Sequence, residues 1–233
     1  MKTKNEYNYI LQWHKKVKAI KLLGGKCQDC GEDRPWLLVF HHKNPEEKEY
    51  NINQIKDSSW NLILDEVLKC KLLCHNCHNK IHQKNTENDK RKQNKEIILK
   101  YKNIQCCEKC GYQESKQSLH FHHKDNKSFT ISNIGIRIKS VNDLEEWLKN
   151  EIEKCLILCA NCHYDLHFDK EKFVKYKNEI INWNYIERPK EVNKEKVIEM
   201  FEQGIKQIDI AKKLKCAKST ICGIIKKYRE VGP

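Results

Sequence analysis

The sequence lacks long apolar stretches, and this absence excludes several classes of protein. No uninterrupted apolar run approaches the roughly 18 residues that a membrane-spanning helix needs, so we expect no membrane span. The first ten residues, MKTKNEYNYI, have no apolar segment after their basic residues, so we expect no secretory signal. In a reducing compartment, cysteines bind metal more often than they form disulfides. A disulfide framework stays open as the less favoured alternative.

Acidic residues are scarce relative to basic ones. Asp and Glu number 32 against 45 Lys and Arg, which leaves a formal net charge of +13. The excess is spread along the chain, and a positive surface of this size favours polyanions, above all the nucleic acid backbone. A Lys-rich composition inherited from an A+T-biased genome would give the same numbers. Composition alone does not decide between these alternatives, so the motifs must.

Cysteine, in contrast, is abundant, and its spacing is regular. Eight of the 13 cysteines fall into four Cys-x-x-Cys pairs. Four thiolates from two such pairs suit a tetrahedral zinc site closed to solvent, so we expect two structural Zn²⁺ sites. Cys70 and Cys155 lie outside the pairs, and we expect them to be buried core thiols. The expected zinc ligands are Cys27, Cys30, Cys74, Cys77, Cys107, Cys110, Cys159 and Cys162.

One nine-residue stretch occurs twice. Residues 74–82 read CHNCHNKIH and residues 159–167 read CANCHYDLH, so both have the pattern C-x-N-C-H-x-x-x-H. Each stretch follows a Cys-x-x-Cys pair and a His-His-Lys tripeptide in the same order. The repeat period of about 80 residues is too long for a solenoid and indicates a domain duplication.

Both copies predict the same order of elements: a helix, a strand that ends in two histidines, a helix, and a last helix entered from the second cysteine pair. The segments predicted in the first copy are helix 5–23, strand 36–43, helix 60–70 and helix 74–82. Those predicted in the second are helix 96–104, strand 118–124, helix 143–155 and a helix over 159–167. We expect residues 83–95 to form a charged linker or the polar start of the next helix. We expect a second linker from about residue 168 to residue 191.

The histidines form a second constellation in both copies. His78 and His82 are four residues apart on a predicted helix, as are His163 and His167, so each pair shares one helix face. Two imidazoles at this spacing can share one metal ion, and one of the two strand histidines could add a further nitrogen. The other strand histidine would be free to act as a general base, because the pKa of histidine lies near physiological pH. A packed or solvated role, the usual one for a lone histidine, does not explain matched positions in two copies.

At these residues the chain resembles the HNH, or ββα-metal, endonucleases of the cysteine-knuckle type. The family motif is a strand ending in His or Asp-His, an intervening Asn, and a helix entered as C-x-x-C-H-x-x-x-H, and the resemblance covers about 27–82 and 107–167. It implies that His42 and His123 activate the attacking water, and that a catalytic divalent ion, Mg²⁺, Mn²⁺ or Zn²⁺, is held in each copy. The implied ligands of this ion are His41, His78, His82, His122, His163 and His167. Neither Asn61 nor Asn150 aligns between the copies, so the role of the family's intervening Asn is unassigned.

Residues 193–230 predict three short helices with a tight second turn, which is typical of a helix-turn-helix. The segment resembles the helix-turn-helix of resolvases, invertases and transposases, with G-x-x-x-x-x-I-A-x-x-L-x-x-x-x-S-T-I over 204–221. This resemblance implies double-stranded DNA as the partner, whereas a helical bundle for protein contacts is the alternative. The residues expected to face DNA are Lys218, Ser219, Thr220, Gly223, Lys226, Lys227 and Arg229.

These expectations combine into an α+β chain. Two small zinc-stapled ββα-metal domains, 1–85 and 86–170, precede a linker, 171–191, and an all-α helix-turn-helix domain, 192–233. The expected function is metal-dependent hydrolysis of DNA by a monomer with two nuclease units, similar to phage and mobile-element homing endonucleases. The expected location is the cytoplasm of a bacterial, phage-infected or virus-infected cell, or a nucleus. A non-catalytic zinc-containing DNA-binding regulator and an RNA-cutting nuclease are the alternatives.

Overall fold

The computed structural model describes residues 2–82, 90–182, 193–214 and 218–231. Contacts between Cα atoms divide the chain into two compact units, Met1–Ile181 and Asn182–Pro233. The first unit is a mixed α+β fold with two small two-stranded sheets, and it contains both copies of the repeat. The segments predicted as separate domains, 1–85 and 86–170, therefore lie in one compact unit.

In the first copy, an antiparallel pair of strands is enclosed by helices. Strand β1 (Leu38–His42) pairs with β2 (Cys70–Cys74), with Leu38 opposite Cys74 and His42 opposite Cys70. The copy also contains helices α1 (Lys4–Leu22), α2 (Trp60–Leu68) and α3 (His75–Ile81). Helix α1 begins at a capping box, in which the Thr3 side chain and the Glu6 carboxylate each accept the other residue's backbone N–H.

The second copy repeats this arrangement with the same register. Strand β3 (Leu119–His123) pairs with β4 (Cys155–Cys159), with Leu119 opposite Cys159 and His123 opposite Cys155. Its helices are α4 (Lys90–Tyr101), α5 (Glu146–Glu153) and α6 (Ala160–His167). Helix α4 starts inside the segment predicted as a linker, residues 83–95, so the described part of that segment is the polar start of the helix. Residues 83–89 lie outside the described part of the chain.

Strands β2 and β4 were not predicted from residue patterns. Each has only five residues, CKLLC or CLILC, and is bounded by helices on both sides. Four of the five residues in each strand are buried and the fifth lies between buried neighbours, so no alternation of apolar and polar residues marks the strands. Cys70 and Cys155, at the start of these strands, are 0% and 1% exposed, which confirms them as core thiols.

The two copies meet through the first turns of α3 and α6. The backbone N–H of Asn76 donates to Asn161 Oδ1, and the backbone N–H of Asn161 donates to Asn76 Oδ1, both at 3.1 Å. Both asparagines are buried. The rings of His75 and Tyr164 stack beside them, with centroids 3.6 Å apart. Because the same residue makes the same bond on both sides, the contact has the self-complementary form of a two-fold interface.

Two further helices occupy part of the segment predicted as the second linker. Helices α7 (Lys170–Lys175) and α8 (Lys177–Ile181) pack against α1. Trp13 of α1 contacts Phe168 and Phe173 edge-on, with ring centroids 5.3 and 4.9 Å away, and His14 Nδ1 lies 2.9 Å from the Ile180 carbonyl oxygen. Apolar burial against α1 therefore orders residues 170–181. The rest of the predicted linker, from 183 on, lies outside the described residues.

The described residues of the second compact unit, 193–214 and 218–231, form three helices, as the sequence predicts. They are α9 (Lys194–Glu202), α10 (Gln207–Lys213) and α11 (Lys218–Val231). Gly204 adopts a φ of +77° directly after α9, a conformation that favours glycine and ends the helix. The core of the unit consists of Val197, Met200, Ile210, Ala211, Ile221 and Ile225. In neither unit does a described helix have the length and apolar character needed to cross a membrane.

Candidate metal centres

Four cysteine sulfurs gather in each copy of the repeat. The Sγ atoms of each group lie within 4.8 Å of one another, and single pairs are closer, with Cys30 3.6 Å from Cys74 and Cys110 3.7 Å from Cys159. A zinc ion about 2.3 Å from four tetrahedral sulfurs requires sulfur separations of about 3.8 Å. Both groups could therefore hold a structural zinc ion, as the sequence predicts. They are Cys27, Cys30, Cys74 and Cys77, and Cys107, Cys110, Cys159 and Cys162.

Backbone geometry positions these cysteines. After the first pair, Gly31 adopts a φ of +81° and its N–H donates to the Cys27 carbonyl oxygen. This bond closes a tight turn around the Cys27–Cys30 pair. Cys74 caps helix α3, because its Sγ accepts the backbone N–H of Cys77 at 3.4 Å. Cys159 caps α6 in the same way. The second sulfur pair of each site is thus built into the first turn of a helix.

The metal-free thiols resist ionising together. Burial raises the pKa of Cys77, and the neighbouring Cys74 raises it further. Burial also raises the pKa of Cys162, with Cys110 and Cys159 adding to the effect. A divalent cation would reverse this preference, because thiolates are the form that binds metal. Zinc binding at these sites should therefore release protons and weaken in acid.

Each copy also contains a histidine triad, formed by a strand and the helix that follows the second cysteine pair. In the first copy, His41 lies in β1, His78 lies in α3 and His82 directly follows α3, with ring centroids 4.7 to 5.2 Å apart. In the second copy, the triad of His122, His163 and His167 has centroids 4.8 to 5.4 Å apart. In each triad the ring nitrogens lie within 4.8 Å of one another, so each could hold a metal ion.

The first helix histidine of each triad is held in its neutral form, which is the form that binds metal. Burial, followed by the neighbouring histidines, lowers the pKa of His78 to about 4 and that of His163 to about 4. The last histidine of each triad, His82 or His167, is exposed. Each triad therefore has one side open to solvent, where water and an anionic substrate could approach.

The two histidines predicted as general bases lie outside the triads. Consecutive strand residues point to opposite faces, so His41 faces α3 whereas His42 faces α2. His42 Nε2 lies 2.7 Å from Glu66 Oε1. In the second copy, His123 Nε2 lies 3.0 Å from Glu151 Oε1, but at an angle too poor for a hydrogen bond.

Glu66 is buried and heavily hydrogen-bonded. Its Oε1 accepts the backbone N–H groups of Glu49 and Tyr50, both at 3.1 Å, and its Oε2 accepts Lys69 Nζ at 3.1 Å. Burial alone would raise the pKa of Glu66, but these bonds together with His42 lower it to about 2. The carboxylate is therefore ionised at neutral pH.

Glu151 repeats this environment in the second copy. Its Oε1 accepts the backbone N–H groups of Ser128 and Phe129 at 2.8 and 3.4 Å, and Lys154 Nζ donates to its Oε2 at 2.8 Å. The bond from Lys154 is the largest cause that lowers the pKa of Glu151 to about 2. Neither glutamate was predicted as a site residue, although the sequence contains a signal: each begins a matched E-x-x-K-C pattern, over 66–70 and 151–155.

The copies differ at one position beside the triads. His120 Nδ1 lies 3.5 Å from His163 Nδ1, whereas the register places Val39 at the corresponding point of β1. Burial, with Lys95 and His163, lowers the pKa of His120 to about 4. His163 thus has a histidine neighbour on the strand at the position where the first copy has Val39.

In the second unit, α11 exposes the predicted DNA-facing surface. Lys218, Gly223, Lys226 and Lys227 are exposed. Arg229 is also exposed, and its guanidinium lies 5.1 Å above the Phe201 ring. The side chains predicted at 219 and 220 lie outside what the structure describes.

The structure thus brings together the eight predicted cysteine ligands and the six predicted histidine ligands, and it places the two predicted bases beside buried glutamates. Asn61 and Asn150 are exposed on α2 and α5, so their positions do not assign the family's intervening Asn. The asparagine of each C-x-N-C stretch instead joins the two copies. Comparisons with models of protein families, with curated proteins and with solved structures found no match.

Proposed function

We propose that the protein is a metal-dependent DNA endonuclease of the HNH type with two nuclease centres in one chain. One observation carries this proposal: a strand and a helix build the same solvent-open histidine triad twice, each time on a helix that also carries two sulfurs of a four-cysteine group. Structural zinc sites stabilise a fold with the cysteines alone. The six additional histidines at matched positions are not needed for such a structural role. Metal-assisted hydrolysis would explain their presence.

The residues divide the chemistry among them. A divalent ion bound by a triad would polarise the scissile phosphate and stabilise charge on the leaving 3′-oxygen. His41, His78 and His82 would hold the ion in the first copy, and the side of the triad that is open to solvent would admit water and phosphate. His42 takes the proton of the attacking water. The residues with the same roles in the second copy are His122, His163 and His167 as ligands and His123 as base.

Double-stranded DNA is the proposed substrate. The net charge of +13 favours a polyanion, and the exposed Lys218, Lys226 and Lys227 of α11 offer cations on a helix of the size that enters the major groove. A phage or mobile-element homing endonuclease needs one part that recognises DNA and another that cleaves it. The three-helix unit would supply recognition, and the first unit would supply cleavage. Two centres would allow one chain to cut both strands.

Plasmid cleavage tests the proposal. Supercoiled plasmids carrying fragments of candidate host DNA are incubated with the zinc-loaded protein and Mg²⁺ or Mn²⁺. We expect nicked and linear products from the wild type, their loss in the double variant His82→Ala/His167→Ala, and reduced linear product in each single variant. Ile81→Ala and Leu166→Ala are matched controls, because each removes a partly exposed apolar side chain directly before a triad histidine. Absence of cleavage by the metal-loaded wild type would reject the enzyme assignment.

One observation favours a second candidate, a non-catalytic zinc-containing DNA-binding regulator. His42 and His123 have side chains only 11% exposed and contact buried carboxylates, which a purely structural pair would also do. For a regulator, DNA affinity should be unchanged in His82→Ala/His167→Ala and no cleavage should occur with any divalent metal. Gel-shift and cleavage assays on the same protein samples separate the two candidates.

A further inference from the structure

We propose that Glu66 and Glu151 are positioning residues that fix the tautomer and orientation of His42 and His123, so that Nδ1 of each ring is the atom that accepts the proton. This inference rests on the proposed function and names which atom of the general base reacts. It also assigns a role to two residues that are buried, charged and repeated, and that no metal site uses.

The hydrogen-bond partner of His42 determines the tautomer of its ring. An ionised carboxylate can only accept hydrogen bonds, so the imidazole nitrogen that faces Glu66 at 2.7 Å must carry a hydrogen. That nitrogen is Nε2. In the neutral ring the lone pair then lies on the other nitrogen, Nδ1. Carboxylates orient histidine bases in the same general way elsewhere, by binding the N–H of one ring nitrogen so that the other is free to act as the base.

Glu66 itself is held rigidly enough to orient the ring. Its carboxylate accepts two backbone N–H groups and Lys69 Nζ besides the His42 ring, and the residue is 1% exposed. The backbone donors come from the loop after β1, and Lys69 comes from the end of α2. Several elements therefore fix one carboxylate, and the carboxylate fixes one ring.

Nδ1, the atom proposed to accept the proton, is accessible in both rings. Among the described residues, no group hydrogen-bonds to Nδ1 of His42 or of His123, and neither Nδ1 is among the polar atoms sealed from solvent without a partner. Each ring thus has one nitrogen turned to its carboxylate and one in contact with solvent. This is the arrangement that a base needs when the substrate is a water molecule.

The same arrangement recurs although its surroundings differ. The backbone donors are Glu49 and Tyr50 in one copy and Ser128 and Phe129 in the other, while the E-x-x-K-C pattern is retained in both. The second pair is less well aligned, because His123 Nε2 lies at 3.0 Å with poor angular geometry. We therefore expect the tautomer to be more strongly fixed in the first copy.

The step balances as an ordinary hydrolysis. His42 Nδ1 takes one proton from water as the water oxygen bonds to phosphorus. The bond from phosphorus to the 3′-oxygen breaks, and that oxygen leaves with the electron pair and takes a proton from solvent. Glu66 exchanges no proton, and its negative charge stabilises the imidazolium that forms.

Nuclear magnetic resonance of the zinc-loaded full chain, with ¹⁵N-labelled histidine, reads the tautomer directly. In the wild type we expect His42 Nε2 to show a protonated-nitrogen signal and Nδ1 an unprotonated one at a pH where the ring is neutral. Glu66→Gln keeps the volume but adds an N–H donor, so the signals of the two nitrogens should mix or exchange. Glu66→Asp keeps the charge and should restore part of the wild-type pattern. Glu49→Gln is the control, because the exposed Glu49 carboxylate binds Lys69 but not the ring.

Cleavage kinetics on the same proteins separate positioning from packing. We expect Glu66→Gln to lower kcat of the first centre about 100-fold, measured with the second centre removed by His167→Ala, while KM changes little. Unchanged ring signals in Glu66→Gln, or a wild-type ring protonated at Nδ1, would overturn the inference even for an active enzyme. The inference would also be overturned if the ring signals of Glu66→Gln changed as expected while its kcat stayed equal to that of the protein with Glu66. An inactive wild type would reject the proposed function, and the catalytic role of Glu66 with it, whatever the tautomer.

Discussion

The reciprocal asparagine bonds between the two copies allow a quantitative prediction. Replacing Asn161 with alanine removes the acceptor 3.1 Å from the Asn76 backbone N–H and leaves that N–H in a site where Asn76 is 6% exposed. A buried donor that loses its partner costs about 1–3 kcal/mol. Asn161 is a cleaner choice than Asn76, because the Asn76 side chain also acts on the pKa of the Cys159 thiol, a member of the second four-cysteine group. We therefore expect Asn161→Ala to destabilise the first unit by about 2 kcal/mol.

Urea unfolding of the zinc-saturated protein measures this loss. With a denaturant dependence of about 2 kcal/mol per molar, the midpoint should fall by about 1 M. The double variant Asn76→Ala/Asn161→Ala should differ from the sum of the two single variants, because both bonds belong to one contact. Asn150→Ala is the matched control, since Asn150 is exposed on α5 and its replacement should stay within about 0.5 kcal/mol. A midpoint for Asn161→Ala equal to that of Asn150→Ala would refute the reasoning and leave other contacts, such as Trp36 with Asp165, to hold the copies together.

Three further predictions follow from the metal sites, the buried glutamates and the basic helix. Full zinc loading should give two tightly held ions per chain by atomic absorption, and Cys30→Ser should reduce this to one; an unchanged content would contradict the four-cysteine assignment. Because the pKa of Glu66 is lowered from 4.5 to about 2, its contribution to stability is fully present above about pH 4.5 and is lost as the pH falls through about 2. The difference in unfolding free energy between wild type and Glu66→Gln should therefore narrow across that window in acid unfolding curves, and a constant difference would argue against it. Lys227→Ala should weaken binding of duplex DNA evenly across sequences and reduce the salt dependence of log K by about one unit in fluorescence anisotropy, whereas an unchanged slope would remove Lys227 from the phosphate contacts.

The candidate metal ligands could be predicted from the sequence because their signal is local. Cys-x-x-Cys pairs and histidines four apart on a helix define a donor set within one turn, so spacing alone identifies Cys74, Cys77, His78 and His82. The duplication then checks each assignment against an independent copy. The gathering of both four-cysteine groups and both triads follows this prediction.

The contacts that depend on three-dimensional placement were not predicted. Glu66 meets His42 only because α2 returns to the far face of β1, and Asn76 meets Asn161 only because the copies pack against each other. No periodicity within a short segment encodes a partner 24 or 85 residues away. Helices α7 and α8 were missed for a related reason, since their apolar residues become ordered by burial against α1, at the opposite end of the unit's sequence.

The repeated nine-residue stretch couples three contacts through one helix turn. In the first copy, Cys74 caps α3 and also belongs to the four-cysteine group. Asn76 hydrogen-bonds to the other copy, and His78 is a member of the triad. A zinc ion that fixes Cys74 and Cys77 therefore fixes the start of a helix only seven residues long, which would be marginal without tertiary support. Loss of the structural zinc should disturb the triad and the interface together, although neither contains a cysteine of the four-cysteine group. The structural metal would then be a requirement for the histidine site in both copies, and chelation should abolish binding of a second metal by the triads as well as folding.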